Sequence, residues 1–216
     1  MPRNIETSLD FLRFSLGAHV LRFGSFRTKA GRDSPYFFNA GLFNSGALIE
    51  QLGNYYADTI IQKCPPFDLL FGPAYKGIPL ATTAATALAR RHERDVPLAY
   101  NRKEAKDHGE GGNLVGAPVE GRVLIIDDVI SAGTSIRESA GWIEQAGAAV
   151  AGVVIALDRQ EKGTGNQSAV QEVEQMLGVP VIAIAQLTDL IRLLENDPSQ
   201  VGTLAAIHEY RDRYGA

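Results

Sequence analysis

Leu9, Leu12 and Leu16 recur at helical spacing within residues 4–17, a stripe that one face of a helix can bury. Thr7-Ser8-Leu9-Asp10 has the form of a capping box near its start. Residues 20–38 alternate apolar with polar and are broken by Gly24, Gly31 and Pro35, which predicts short strands and a turn. Ser45 is placed to cap a helix reaching about Lys63, with Ile49, Leu52, Tyr56 and Ile60 on one face. From residue 67 the rhythm changes. Short apolar runs at 67–71, 97–100, 122–126, 149–157 and 179–184 predict strands, and stretches with helical period at 78–91, 134–145, 168–177, 187–195 and 199–214 predict helices. Residues 101–121 are polar and rich in glycine, with no apolar period.

Strands alternating with helices of this length form βαβ units, which need a largely parallel sheet with both faces covered. The unbroken runs Val123-Leu124-Ile125-Ile126 and Val153-Val154-Ile155-Ala156-Leu157 suit strands buried on both sides. The expectation is an α/β fold: a central, mainly parallel five-stranded sheet flanked by helices, with ligands beyond the carboxyl ends of the strands. Residues 1–42 stand outside the alternation and predict a small N-terminal cap beside the sheet. No repeat or long linker divides the 216 residues, so a single domain over 1–216 is expected.

Composition narrows the partners. The chain is 45% hydrophobic and 21% charged, with a net charge of −4, which argues against a general nucleic-acid binder. Cys64 is the only cysteine, so neither an internal disulfide nor a cysteine-based zinc site is available. It precedes Pro65-Pro66 at a helix end and reads as an ordinary thiol. The start, MPRNIETSLD, has no apolar signal region, and no run approaches the roughly 18 apolar residues of a membrane span. A cytoplasmic protein with no membrane contact is expected.

Three loops at strand ends carry the chemistry. Asp127-Asp128-Val129-Ile130-Ser131-Ala132-Gly133-Thr134-Ser135 follows a buried strand and opens a helix. The free N–H groups and positive dipole end of a helix start bind phosphate. Two carboxylates beside such a nest fit a ligand carrying sugar hydroxyls as well as a phosphate. Gly72-Pro73-Ala74-Tyr75-Lys76-Gly77, also strand to helix, exposes backbone and adds a cation, which suits a diphosphate. In the third, Arg102, Lys103, Lys106 and His108 stand close together ahead of Gly109, Gly111 and Gly112. A long loop of this kind is a candidate lid whose cations meet a polyanionic substrate.

The string at 123–135 resembles the sugar-diphosphate binding motif of type I phosphoribosyltransferases, which share the substrate 5-phosphoribosyl 1-diphosphate (PRPP). Lys29-Ala30-Gly31-Arg32 with Ser34-Pro35-Tyr36-Phe37-Phe38-Asn39-Ala40-Gly41, the 71–77 loop, residues 102–114 and Leu157-Asp158-Arg159-Gln160-Glu161 together resemble the orotate phosphoribosyltransferases of the bacterial type. The resemblance covers nearly the whole chain. It implies the type I phosphoribosyltransferase fold and the joining of orotate N1 to C1 of PRPP, giving orotidine 5′-monophosphate and diphosphate in pyrimidine (UMP) biosynthesis. It implies that Asp127 and Asp128 engage the ribose hydroxyls. Val129, Ile130, Ser131, Ala132, Gly133, Thr134 and Ser135 then hold the 5′-phosphate. Tyr75, Lys76, Arg102, Lys103, Lys106 and His108 surround the diphosphate, and Lys29 reaches PRPP. Phe37 and Phe38 flank orotate, and Ser131 and Arg159 complete its site. Lys29, Arg102, Lys103, Lys106, His108, Asp127 and Asp128 form the catalytic set. Mg²⁺ is implied, held mainly through PRPP and water rather than by protein ligands. So are a cap over about 1–42 that contributes to the orotate site, a mobile loop over about 101–116, and a homodimer in which that loop serves the neighbouring site. Ser131 stands where the family commonly has threonine, which keeps the hydroxyl and loses a methyl.

Physical reasoning supports these roles. Orotate is an anion, and an arginine pairs bidentately with its carboxylate. Rings at 37 and 38 of a strand point to opposite faces, so one is a candidate for the core. His19, His92 and His208 read as surface or structural residues. The rival readings are a phosphoribosyltransferase for another base and a regulatory protein sensing PRPP. A neutral base offers nothing to a buried Arg159, and a nucleic-acid-binding sensor needs a basic face.

Overall fold

The computed structural model describes residues 4–28, 31–106 and 112–216, with side chains for 7–28, 31–103 and 113–216. The chain opens with α1 (Asn4–Gly17), then the antiparallel pair β1 (Leu21–Arg27) and β2 (Asp33–Phe38), and α2 (Gly46–Lys63). There follow β3 (Leu69–Gly72), α3 (Gly77–His92), β4 (Leu98–Lys106), β5 (Gly112–Gly116), β6 (Arg122–Asp127), α4 (Thr134–Gln145) and β7 (Ala149–Asp158). The chain closes with α5 (Ala169–Leu177), β8 (Val181–Gln186), α6 (Leu187–Glu195) and α7 (Val201–Tyr214). Local signals account for several ends. Ser45 accepts the Leu48 N–H and starts α2, and Ser168 with Gln171 forms a reciprocal capping box on α5. The motif at Thr7 is not a cap, because α1 begins upstream at Asn4; Ser8 instead donates to the Ile184 carbonyl at 2.7 Å, fastening α1 to β8.

The main sheet runs β5-β4-β3-β6-β7-β8, parallel except for β5. The five expected parallel strands are present, but the sheet has a sixth. The expected loop at 101–116 is, over its described residues, the extension of β4 and the returning β5, with Tyr100 opposite Val115 and Asn101 opposite Leu114. β5 reads Gly112-Asn113-Leu114-Val115-Gly116, two large apolar residues between glycines, so it lacks the apolar run that reveals the other strands.

The two-residue period of the inner strands divides the core. Leu70, Leu124, Ile126, Val154 and Ala156 face a layer built from α1, α2, α3, α6 and α7. Leu69, Phe71, Val123, Ile125, Val153 and Ile155 face Ile136 and Ile143 of α4 and Val173 of α5. Each strand is apolar along its whole length because it has no solvent face. The β1–β2 hairpin sits apart from the sheet, docked where Tyr36 meets Tyr210 of α7 edge to face at 6.2 Å. Among the described residues, no helix is long and apolar enough to cross a membrane.

Chain direction fixes the site. From β3 the chain passes to β4 on one side, while β6 pairs on the other, Leu69 beside Val123 and Phe71 beside Ile125. The order reverses there, and the loops after β3 and β6 emerge side by side, the crevice in which such folds bind ligands.

The loop after β3 is packed without slack. A Cβ on Gly72 would stand 2.7 Å from the Gly77 carbonyl carbon and 3.0 Å from Ala81 Cβ, whereas one on Gly141 in α4 would meet nothing within 4 Å. Gly72→Ala is expected to cost about 1–3 kcal/mol by overpacking, a melting temperature lowered by roughly 2–4 °C per kcal/mol for a chain of this size. Gly141→Ala should be neutral or slightly stabilising. Thermal unfolding followed by circular dichroism separates them; equal midpoints would show that the loop has room to spare.

Candidate active site

Asp127 ends β6 and Asp128 follows it, at 7% and 6% exposure, unusual burial for adjacent carboxylates. Each is held by local bonds. Asp127 Oδ1 accepts the Asp128 N–H at 2.9 Å, Asp128 Oδ1 accepts the Val129 N–H at 2.9 Å, and the buried Tyr56 hydroxyl donates to the Asp127 carbonyl at 2.7 Å. Lys76 crosses from the neighbouring loop to Asp128 Oδ2 at 2.8 Å, with most of its side chain in solvent. Burial, and next the charge of Asp128, push the Asp127 carboxyl up to about 6 against the opposing pull of the Asp128 N–H, Ser135 and Lys76.

The chain then turns through Val129, Ile130, Ser131 and Ala132 to Gly133, whose φ of 66° begins α4. Gly133 supplies no side-chain cap, so the first-turn N–H groups at Thr134, Ser135 and Ile136 are free for a ligand. A side chain at 133 would press on Val173 of α5, so the turn lies directly on that helix. Ser131, Ala132, Thr134 and Ser135 are exposed around it, while Ile130 turns into the core beneath. Arg137 braces the turn by donating to the Ala132 carbonyl at 3.3 Å.

In the adjacent loop the Ala74–Tyr75 peptide is cis, and the Ala74 N–H donates to Asn101 Oδ1 of β4 at 2.9 Å. Tyr75 stands 65% exposed, with Lys103 Nζ 5.0 Å from its ring centroid. Arg102 is half-buried on the same strand. Tyr75, Lys76, Lys103, Asp127, Asp128 and the 129–135 turn thus gather at one end of the sheet. Lys29 and His108 lie outside the described residues, as does the side chain of Lys106.

Across the crevice, Arg159 follows the end of β7. Its Nε donates to Glu161 Oε1 at 2.7 Å and its Nη2 to Ser34 Oγ at 3.0 Å, and it lies 4.2 Å over the Tyr36 ring. Asp158 does not orient it: that carboxylate accepts the Gln160 N–H at 2.8 Å, and burial raises its pKa. The two aromatic residues of β2 stand in different environments. Phe38 is only 7% exposed and packs its ring against Phe11 and Phe43 in the core. Phe37, on the other face of β2, is half-buried and stacks on Phe26 at 5.4 Å. Alternation along the strand turns the two rings to opposite faces.

Ser34, Tyr36, Glu161 and Tyr210 are the site neighbours that pattern reasoning missed. Ser34, Tyr36 and Glu161 stood inside recognisable strings, but nothing local reveals that Ser34 meets Arg159, 125 residues away. Away from the crevice, burial raises the Cys64 thiol to about 12, as expected of an unreactive cysteine. His92 Nε2 meets Asp58 Oδ1 at 2.8 Å. Among the described residues no group of three or more acidic, histidine or cysteine side chains forms a metal cluster.

Comparison with known proteins agrees with this geometry. Residues 42–181 match the phosphoribosyl transferase domain family. Over 206 residues the chain is 60% identical to an orotate phosphoribosyltransferase of Cronobacter sakazakii, covering 95% of this chain and 97% of that one. It is 59% identical over 207 residues to that of Pseudomonas fluorescens, covering 95% and 97%. Among solved structures, the orotate phosphoribosyltransferase of Francisella tularensis superimposes with a TM-score of 0.87 at 41% identity, covering 96% of this chain and all 100% of that one.

Proposed function

Since this chain belongs to the orotate phosphoribosyltransferase family, we propose that it joins orotate to PRPP in the crevice between the ends of β3, β6 and β7. Orotate N1 gives up its proton and its electron pair forms the bond to C1 of the ribose; the bond from C1 to the diphosphate oxygen breaks, and diphosphate leaves with that electron pair and takes up the proton. The products are orotidine 5′-monophosphate and diphosphate.

Asp127 and Asp128 accept from the ribose hydroxyls, and the 129–135 turn donates backbone and hydroxyl groups to the 5′-phosphate. Tyr75, Lys76, Arg102 and Lys103, joined by Lys29, Lys106 and His108, stabilise the charge that builds on the leaving diphosphate. For this Lys76 exchanges Asp128 for the incoming oxygens. Arg159 takes the orotate carboxylate, and the half-buried Phe37 serves the base, with Phe38 contributing its backbone and Ser131 its hydroxyl. The observation that carries this reading is the buried Asp127-Asp128 pair, capped by Lys76 and running into an uncapped helix start.

Mg²⁺ fits the donor set in a limited way. Two hard carboxylate oxygens stand at the crevice, one of them already paired with Lys76, which suits an ion carried mostly by substrate oxygens and water. When bound it neutralises diphosphate charge. The working form is a homodimer in the cytoplasm, in which the β4–β5 hairpin of one copy serves the site of the other.

The direct test mixes the protein with PRPP, Mg²⁺ and orotate and follows the loss of orotate absorbance, with uracil, adenine and hypoxanthine in parallel. Orotate alone should be converted, and a chelator should stop it. Light scattering of the same preparation should give twice the 23.3 kDa chain mass. Unconverted orotate with PRPP still bound would overturn the choice of base.

A further inference from the structure

Arg159 enters the crevice from a half-buried network. Glu161 Oε1 takes its Nε bond at 2.7 Å and also accepts the Tyr210 hydroxyl at 3.0 Å. Glu161 Oε2 faces Arg32 Nη1 at 3.4 Å. Arg32 in turn donates to the Lys162 carbonyl at 2.9 Å, lies 5.2 Å over the Tyr214 ring, and holds the β1–β2 turn by accepting the Thr28 N–H at its carbonyl and donating its own N–H to Thr28 Oγ1. One carboxylate therefore ties together the cap hairpin, the segment after β7 and helix α7.

The bonds to Glu161 and Ser34 use the Nε and Nη2 groups of Arg159, and its Nη1 donors take neither of them. A guanidinium recognises a planar carboxylate only when its fork is held in plane and in register. A long arginine side chain ordered this way before binding loses less entropy when the ligand arrives. The charge balance points the same way. Glu161 lies between two guanidinium groups, so it orients Arg159 without cancelling the positive field that an anionic base meets.

We infer that Glu161, itself held by Tyr210, is a positioning residue that sets Arg159 for the carboxylate of the base and so determines acceptor specificity. This rests on the reading of Arg159 as the orotate contact.

The test is a double-mutant cycle with Glu161→Ala, Arg159→Ala and the double variant, measuring KM and kcat for orotate and for PRPP. Glu161→Ala should lower kcat/KM for orotate by about 10–100-fold, mainly through KM, with the PRPP constant unmoved. In the Arg159→Ala background the same substitution should have no further effect. Glu161→Gln keeps an acceptor oxygen and should recover part of the loss. Tyr210→Phe, which removes one hydroxyl, should raise the orotate KM a few-fold, and these two variants carry the test if Glu161→Ala does not fold. Additive losses from the two sites, or an equal rise in the PRPP constant, would overturn the inference. An unchanged orotate constant in Arg159→Ala alone would instead remove the reading beneath it, and the inference with it.

Discussion

Arg159→Ala should leave a folded protein that binds PRPP normally and uses orotate about 10²–10³-fold less efficiently. The size follows from burial. Arg159 is enclosed by Tyr36, Glu161 and Ser34, and a charge pair formed in such a place is worth about 2–5 kcal/mol when one partner is cut away; each 1.4 kcal/mol is about tenfold. The loss should appear for orotate alone, because a base without a carboxylate never used the contact. Arg159→Lys should recover little, since an ammonium cannot reach Glu161, Ser34 and a ligand from one rigid plane. Steady-state kinetics with each substrate varied, and PRPP binding by calorimetry, decide the matter. Equal losses toward both substrates would mean that the arginine holds the fold rather than the base.

Asp127→Asn should make the protein more stable and lower its kcat/KM for PRPP by at least tenfold at neutral pH. The Asp127 carboxyl is pushed up to about 6, first by burial and then by the neighbouring Asp128 charge. Its folded pKa therefore lies above its unfolded value, and the native state holds the proton more tightly. The sign is opposite to that of the usual salt-bridged carboxylate. The stabilisation is present below about pH 4 and lost as pH rises through 6, leaving a penalty of about 3 kcal/mol at neutral pH. An amide of the same shape carries no such penalty. The difference in melting temperature, variant minus wild type, should be small near pH 4 and rise by several degrees by pH 7.5. The variant also loses a charged acceptor for a ribose hydroxyl, worth about 1.5–3 kcal/mol, so kcat/KM for PRPP should fall by at least tenfold. The wild-type value should climb with pH as Asp127 ionises. A melting difference that stays flat from pH 4 to 7.5 would refute the assignment of the raised group. Stability is given up at this position to keep two carboxylates dry and adjacent, a local conflict expected where a site must bind rather than pack.

Most elements were legible because their causes are local. Helix α4 is found over 134–145 as the periodicity predicts, and α2 begins at its Ser45 cap. The strands at 122–126 and 149–157 announced their two-sided burial through unbroken apolar runs, and the site loops lay where strand-to-helix turns put them. The Asp127-to-Ser135 string carried phosphate chemistry in its order alone, because backbone N–H groups at a helix start bind phosphate whatever surrounds them.

What the sequence determined by itself was therefore the set of elements, the parallel sheet and the family of the site, since each rests on propensity, period or a contiguous motif. Only the tertiary structure decided the rest. It added β5 as an antiparallel sixth strand, because two apolar residues set between glycines carry too weak a signal. It sent Phe38 into the core and left Phe37 at the surface of the hairpin, because the docking face of β2 is chosen by what covers it. It brought Ser34 to Arg159, Arg32 and Tyr210 to Glu161, and Lys76 to Asp128. Such contacts are set by where distant segments meet, and no local pattern of residues encodes a distance.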